Sequence, residues 1–138
     1  MTAKEYLNKL RTMNYQIRAK RRELANLKED ALFLTAPVLS ERVQGGEMKS
    51  GNTDIENIEI LENMISKNIS DKIGFQIDVH KKFDEIKDGR YNAILTDFYI
   101  NGLKLKEIAV DIGYEEIYTR RLHGEALESF RGIFGDEF

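Results

Sequence analysis

The chain has no cysteine and no tryptophan, and only one proline and two histidines among its 138 residues. Without cysteine, disulfides and thiolate metal sites are excluded, and the composition suits a reducing compartment. The single proline and the lack of serine- or glutamine-rich tracts argue against low-complexity segments. We therefore expect an ordered chain.

Long apolar runs are missing as well. No stretch approaches the roughly 18 residues that a membrane-spanning helix needs. The opening MTAKEYLNKL lacks the apolar stretch of a secretory signal. These features predict a cytoplasmic protein without a membrane partner.

Charge is plentiful and unevenly distributed along the chain. The 21 basic and 24 acidic side chains give a net charge of −3. Residues 1–34 carry eight basic and four acidic side chains, whereas residues 90–138 carry six and nine. The C-terminal part is therefore not a generically basic module.

Apolar residues in the N-terminal third recur in steps of three and four. The seam is Ala3, Tyr6, Leu10, Met13, Ile17, Lys20, Leu24, Leu27, Ala31 and Leu34, of which only the lysine is not apolar. This spacing predicts a long amphipathic helix, and Thr2 with Glu5 resembles a capping box at its start. A helix of roughly 50 Å cannot bury such a stripe on itself, so it needs a partner.

A second long helix is predicted from about Asp54 to Ile86, after a linker at 35–53 that contains Pro37 and the Gly45-Gly46 pair. A helical turn around 38–43 is an option within that linker. Thr53 or Asp54 is the expected N-cap. The seam of this helix is Ile55, Ile58, Leu61, Ile65, Ile69, Ile73, Val79, Phe83 and Ile86. The two helices pair either within one chain, as an antiparallel hairpin, or between two chains of a homodimer.

Opposite charges across the two long helices suggest how they align. The basic run RAKRR contains Arg18, Arg21 and Arg22, and the second helix offers acids. Those acids include Glu56, Glu59 and Glu62. Such pairs set the register of coiled coils. A solvated face and a phosphate or partner contact are the other interpretations of the basic run.

Three short helical patterns follow, at about 90–100, 104–112 and 115–133, with turns at Asn101-Gly102 and Gly113-Tyr114. Ala109 and Gly113 have the spacing of a helix-turn-helix, where a small residue permits close approach and glycine accepts a left-handed backbone. The predicted core is Tyr91, Ile94, Leu95, Phe98, Tyr99, Ile108, Ile112, Leu122, Ala126, Leu127 and Phe130. We predict an all-α protein with a helical hairpin at 1–88 and a tri-helical helix-turn-helix unit at 89–138.

The segments YINGLKLKEIAVDIGY and RRLHGEALESF resemble the fourth region of bacterial sigma factors. More closely, the chain is similar to short phage and prophage proteins of Gram-positive bacteria with such a tail, and MTAKEYLNKL and ERVQGG extend the similarity over nearly the whole chain. The group includes late-gene transcription activators. The resemblance implies a phage-type transcription regulator that binds promoter-like DNA through its helix-turn-helix.

This chain departs from that group at several positions. Members usually carry a basic residue at the position of Phe98, serine or threonine at that of Lys104, and an aliphatic residue at that of Thr119. The second helix of the motif usually starts with serine or threonine followed by polar or basic residues, where this chain has Glu115, Glu116 and Ile117. Glutamates in a first turn suit the helix dipole, and a glutamate can also accept a hydrogen bond from cytosine N4.

The predicted DNA contacts follow from position and chemistry. Tyr118, Arg120 and Arg121 are expected to contact bases or phosphates, with Glu116 as a reader of cytosine. Lys104 and Lys106 are expected near the DNA backbone. An alternative is an interaction module without DNA binding, which would dock on RNA polymerase, a sigma factor or another phage protein through the hairpin or the acidic helix tip.

Catalytic and metal-binding signatures are not found in the sequence. His80 and His123 are the only histidines, and neither has the spacing of a metal site. His123 is expected to pack or bond near the second helix of the motif, and His80 to be structural or solvated. There is no phosphate loop or nucleophile elbow. We expect no enzyme, no metal and no cofactor.

Overall fold

The computed structural model describes residues 1–38 and 48–138, and side chains outside 35–52. All regular structure in these ranges is helical, which confirms the all-α prediction. The helices are α1 (Ala3–Val38), α2 (Met48–Phe83), α3 (Gly89–Leu95), α4 (Leu105–Ile112) and α5 (Glu116–Phe134). A single π-helical turn, Thr96–Ile100, follows α3 directly.

Helix α1 begins at the predicted capping box. The Thr2 N–H donates to the Glu5 carboxylate at 2.9 Å, and the Glu5 N–H donates to the Thr2 hydroxyl at 3.2 Å. The helix continues to Val38, so Pro37 lies in its last turn instead of ending it. Proline has no N–H to donate to the carbonyl four residues before it, so α1 lacks that hydrogen bond in its last turn.

Helix α2 begins at Met48 rather than near Asp54, so the predicted N-cap at Thr53 or Asp54 is wrong. The one glycine in this first stretch lowers the stability of the helix by about 1 kcal/mol relative to alanine. A long helix can still form there, because helix formation is cooperative. The predicted 35–53 linker is correspondingly shorter, and most of the helical turn suggested at 38–43 lies outside the described residues. At the other end, α2 stops at Phe83, and the Ile86 N–H donates to the Phe83 carbonyl at 3.0 Å.

The chain divides into two compact units. The hairpin unit comprises residues 15–71. Its seam consists of Ile17, Leu61 and Ile65, all buried. The Lys28 ammonium lies 3.7 Å from the Glu62 carboxylate, and Tyr6 near the start of α1 meets Phe75 near the end of α2, so the two helices run antiparallel within one chain. This pairing differs from the predicted one, in which Glu62 was among the acids available to Arg18, Arg21 and Arg22.

The predicted α2 seam drifts out of the core. Leu61 and Ile65 are 7% and 6% exposed, Ile69 is half-buried, and Ile73 is 50% exposed. Successive steps of four residues each overshoot one helical turn, because a turn takes 3.6 residues. Ile55 is also exposed. Placing Ile55 and Ile73 in the seam was therefore wrong.

The second compact unit combines residues 1–14 with residues 72–138, and we call it the C-terminal unit. Its larger buried cluster is Ala3, Leu7, Leu10, Val79, Phe83, Ile86, Leu95, Tyr99, Ala126 and Phe130. The Phe83 and Phe130 rings meet edge to face at 5.9 Å, and Tyr6 stacks on Phe138 at 4.2 Å. The ends of the long helices thus complete the core under α3 and α5.

These contacts group the chain differently from the predicted boundary between residues 88 and 89. The first turns of α1 and the last turns of α2 belong with the C-terminal helices. The N-terminus of α1 is also tied to the chain end, since the Asp136 carboxylate accepts the Ala3 N–H at 3.0 Å. Whether residues 1–88 and 89–138 fold as separate domains stays a prediction.

Candidate nucleic-acid interface

Helices α4 and α5 are joined by a tight turn that depends on one glycine. Gly113 has φ 76° and ψ 28°, a left-handed conformation that costs other residues steric strain. The Gly113 and Tyr114 N–H groups both donate to the Ala109 carbonyl, each at 3.0 Å. Ala109 is itself buried.

A second, smaller apolar cluster holds α4 against α5 and α3. Its buried members are Ile108 on α4, Leu122 on α5 and Ile94 on α3, and Ile112 packs at its edge. Along α5 the buried side chains are Thr119, Leu122, Ala126 and Phe130, with Leu127 half-buried. The predicted inward face of α5 is confirmed, and it determines which side chains point away from the unit.

The face of α5 opposite the core consists of Ile117, Arg120, Arg121 and Gly124, which we call the outer face of α5. Their spacing of three, four and seven residues places them on one side of the helix. All four are exposed, and Ile117 is 80% exposed. No atom lies within 4 Å of where a Cβ would stand on Gly124. Tyr118 lies at the edge of this face and is less exposed.

Both arginines of the outer face form ion pairs along the helix. The Arg120 guanidinium lies 3.3 Å from the Glu116 carboxylate, and Arg121 Nε lies 3.5 Å from the Glu125 carboxylate. Glu125 also accepts the Tyr91 hydroxyl at 3.0 Å, which raises the pKa of Tyr91. Exposed pairs of this kind contribute about 0.3–0.5 kcal/mol, so the arginines are only weakly held.

The two glutamates at the start of α5 have different environments. Glu115 is the N-cap residue, and its side chain makes no capping hydrogen bond. Its carbonyl oxygen instead accepts the Thr119 N–H and hydroxyl, each at 2.9 Å. Because the hydroxyl is satisfied in this way, threonine is tolerated at a fully buried position. Glu116 lies in the first turn, where its charge suits the helix dipole.

Lys104 and Lys106 lie at the start of α4, and both are exposed. Lys104 is the N-cap residue, and its backbone N–H donates to the Glu107 carboxylate at 3.2 Å. This contact is one half of a capping box, and the other half is missing because a lysine side chain has no acceptor for the Glu107 N–H. The same carboxylate places a negative charge at the end of α4 where the two lysines lie.

Arg90 is a neighbour of this surface that the sequence did not indicate. It lies in the first turn of α3 and pairs with the Asp88 carboxylate at 3.2 Å. Asp88 and the hydroxyls of Tyr114 and Tyr118 raise the pKa of Arg90, so it stays protonated. The Tyr114 and Tyr118 rings meet edge to face at 5.1 Å. Twenty or more residues separate Arg90 from both tyrosines, and no local pattern predicts their contact.

His123 lies on the flank of α5 that faces the core. Its ring packs 4.6 Å from Phe98 and 5.7 Å from Tyr99. Burial, together with the charges of Lys4 and Arg11, lowers the pKa of His123 to about 4. Burial likewise raises the pKa of Tyr99 to about 12. The expectation that His123 packs near α5 is met, and at neutral pH the ring carries no charge.

Phe98 is covered by a side chain from α1. The Arg11 guanidinium lies 4.0 Å from the centre of the Phe98 ring and donates to the Phe98 carbonyl at 2.9 Å. Within the described ranges, no group of three or more histidines and carboxylates is placed to hold a metal ion. His80 is exposed.

The chain matches no family model, no curated protein and no solved structure. Within the described residues, none of the helices has the length and apolar character needed to cross a membrane.

Proposed function

We propose that α4 and α5 form a helix-turn-helix that binds promoter-like DNA, and that the protein is a phage-type transcription regulator. The observation that carries this proposal is the outer face of α5, defined above. No part of its own unit covers this face, while the opposite side of the helix is anchored in two apolar clusters. A helix about 10–12 Å across fits the major groove of B-DNA, which is about 12 Å wide.

Each side chain on this face has a chemical use against DNA. Arg120 and Arg121 can exchange their weak ion pairs for guanine edges or phosphates. Ile117 offers an apolar contact to a thymine methyl group, and Tyr118 can donate a hydrogen bond. Gly124 allows the helix to approach the duplex closely, because no side chain stands in the way.

The acids oppose this binding. Glu115 and Glu116 repel phosphates, whose neutralisation drives most DNA affinity. Glu116 can recover part of that cost by accepting from cytosine N4. We therefore expect weak binding by a single copy, strengthened when the protein forms a homodimer through its long helices or is held by RNA polymerase.

A second candidate function is that of an interaction module without DNA binding. Val110 and Ile117 are each 80% exposed, and Tyr114 and Tyr118 lie beside them in the chain. Asp111, Glu115 and Glu116 supply acids in the same stretch. Apolar and acidic groups together suit a basic, apolar segment of RNA polymerase, a sigma factor or another phage protein.

The first experiment is binding to pooled genomic fragments from the encoding locus, measured against salt at known oligomeric state. Selection of particular fragments, with affinity that falls steeply with salt, supports the DNA reader. No binding at about 50 mM salt by folded protein would favour the interaction module, and a pull-down for polymerase subunits would follow.

A variant of the outer face then tests the contact assignment. Arg121→Ala should weaken binding to the selected fragment by about 1–3 kcal/mol and relax its sequence preference. Lys87→Ala removes the same charge from an exposed position between α2 and α3, and serves as the control. Equal affinities for Arg121→Ala and the unaltered protein would show that Arg121 makes no DNA contact.

A further inference from the structure

The outward side of α1 in the hairpin unit carries three arginines on one face. Arg18, Arg21 and Arg22 are spaced three and four residues apart, so they are neighbours on the helix surface. All three are exposed. We call them the arginine stripe.

The stripe lies in a stretch without acidic residues. Residues 6–22, YLNKLRTMNYQIRAKRR, contain six basic side chains and no acidic one, in a chain whose net charge is −3. The ion pair across the hairpin joins Lys28 to Glu62, further along α1. Among the residues that the structure describes, none of the three arginines of the stripe forms an ion pair.

Every other arginine in the described ranges has a partner. Arg90, Arg120, Arg121 and Arg131 pair with carboxylates at 3.5 Å or less. Arg11 donates to the Phe98 carbonyl. The stripe is thus the only place in the described chain where guanidinium groups cluster without a carboxylate or carbonyl partner. Like charges three and four residues apart destabilise a helix by a few tenths of a kcal/mol per pair, and a bound polyanion would relieve that repulsion.

We propose that the arginine stripe binds the phosphate backbone of duplex DNA, as a contact separate from the outer face of α5. DNA as the occupant rests on the proposed function, which brings the duplex to this protein. Duplex DNA carries one negative charge per about 1.7 Å, so three cations within about 6 Å of helix meet several phosphates. Guanidinium groups also match phosphate oxygens in a bidentate geometry.

A membrane surface fits the stripe less well. Helices that lie in a bilayer interface place large apolar side chains beside their basic residues. Here Asn14 and Ala25 flank the stripe on the same side of α1 and provide no apolar anchor, and the exposed Tyr15, three residues before Arg18, adds only a single ring. Sequence-independent binding to DNA phosphates needs no such anchor.

The test compares two triple variants of the full chain. The first carries Arg18→Gln, Arg21→Gln and Arg22→Gln, which keep a good helix former at each position. The control variant carries Lys67→Gln, Lys81→Gln and Lys87→Gln, which remove three exposed charges from other places. Circular dichroism establishes that both remain folded. Affinity is measured for the selected fragment and for a duplex of arbitrary sequence, between about 50 and 200 mM salt.

The stripe variant should bind both duplexes more weakly and by the same factor. Each phosphate contact contributes about 0.9 to the slope of log affinity against log salt, so the slope should be shallower by about 2.7. Between about 50 and 200 mM salt, the stripe variant should therefore lose about 40-fold less affinity than the unaltered protein. The control variant should keep the slope. An unchanged slope in the stripe variant overturns the proposal, even if Arg121→Ala still weakens specific binding.

The two proposals fail in distinguishable ways. If Arg121→Ala has no effect while the stripe variant loses slope, the outer face of α5 is not the reader and the stripe still binds DNA. If the unaltered protein binds neither duplex, the stripe proposal is overturned together with the DNA function. Stripe-dependent binding to phosphatidylserine vesicles without DNA binding would also overturn it, and would identify a membrane surface as the occupant.

Discussion

The hairpin unit and the C-terminal unit differ in how completely they bury their apolar side chains. In the C-terminal unit Leu7, Leu10, Val79, Phe83 and Phe130 are 0% exposed, whereas the best-buried hairpin residues, Ile17, Ile65 and Leu61, keep 4–7%. Two helices shield their shared seam from only two sides, but a layer of further helices encloses the core completely. Burial in this chain therefore follows the number of neighbouring helices more than the apolar pattern of any one helix.

Aromatic residues follow the same division. The chain has seven phenylalanines and six tyrosines, and of these only Tyr15 and Phe33 belong to the hairpin unit. Both are exposed. The hairpin is therefore held by aliphatic side chains of modest size, while large rings fill the C-terminal unit. We expect the two units to differ in how much stability one lost side chain removes.

The largest effect is expected from Phe130→Ala in the C-terminal unit. The ring is fully buried between Phe83, Phe134 and Phe138, so its loss leaves a cavity. Unfolding in urea should show a free energy of unfolding lower by about 3–5 kcal/mol. Phe33→Ala removes an exposed phenylalanine and should change it by about 0.5 kcal/mol or less. Similar losses for the two variants would contradict the difference in packing.

A smaller loss is expected from Leu61→Ala in the hairpin. Its seam borders solvent and can partly close over the gap, so the cost should lie near 2 kcal/mol, at the lower end for such changes. The neighbouring Ile60 is exposed, and Ile60→Ala serves as the control. Hydrogen exchange should quicken in residues 15–34 and 53–71 and stay unchanged in α5. Faster exchange throughout the chain would show that the units unfold as one.

The free energy of unfolding should also depend on His123. Its pKa is about 4 when folded and about 6.5 when unfolded, so below pH 6.5 the unfolded chain takes up the proton first. Stability from this residue is complete above pH 6.5 and falls as the pH drops towards 4, by about 1–2 kcal/mol after allowance for partial exposure. His123→Gln should flatten the curve in that window. His80→Gln, at an exposed position, should not.

The smallest effect on stability is expected from Glu116→Gln. The substitution removes an exposed ion pair with Arg120, which is worth about 0.3–0.5 kcal/mol. DNA affinity should rise nonetheless, because one phosphate-repelling charge is gone and Arg120 is released. Glu62→Gln is the matched control on another helix, since it removes an exposed ion pair with Lys28. Equal affinities for the two variants would place Glu116 away from the duplex.

Periodicity predicted the helices well and their buried faces only in part. Leu61, Val79 and Phe83 lie in cores as expected, yet Ile73 does not. A list of apolar steps does not record the rotation that accumulates over several helical turns. As a result Phe75, and not Ile73, packs against Tyr6. The start of α2 was misplaced for a related reason, since weak local signals at Thr53 and Asp54 were outweighed by the propagation of a long helix.

The residues predicted to contact DNA are exposed, and their role as DNA contacts stays a prediction. Arg120, Arg121 and Tyr118 lie on or beside the outer face of α5 because helical spacing alone decides which side a residue occupies. Their ion pairs within α5 follow a four-residue spacing that was visible in the sequence. Arg90 could not have been found in this way, because its neighbours Tyr114 and Tyr118 come from another helix and its preceding turn.

By itself, the amino-acid sequence determined the helical class of this protein, the capping box of Thr2 with Glu5, and the left-handed turn at Gly113. Each of these depends on residues within one or two turns of the chain. Only the tertiary structure decided that the ends of α1 and α2 join the C-terminal core, and that the arginine stripe stays unpaired while Lys28 meets Glu62. Those outcomes depend on distances between residues far apart in sequence, and such distances result from the packing of the whole chain.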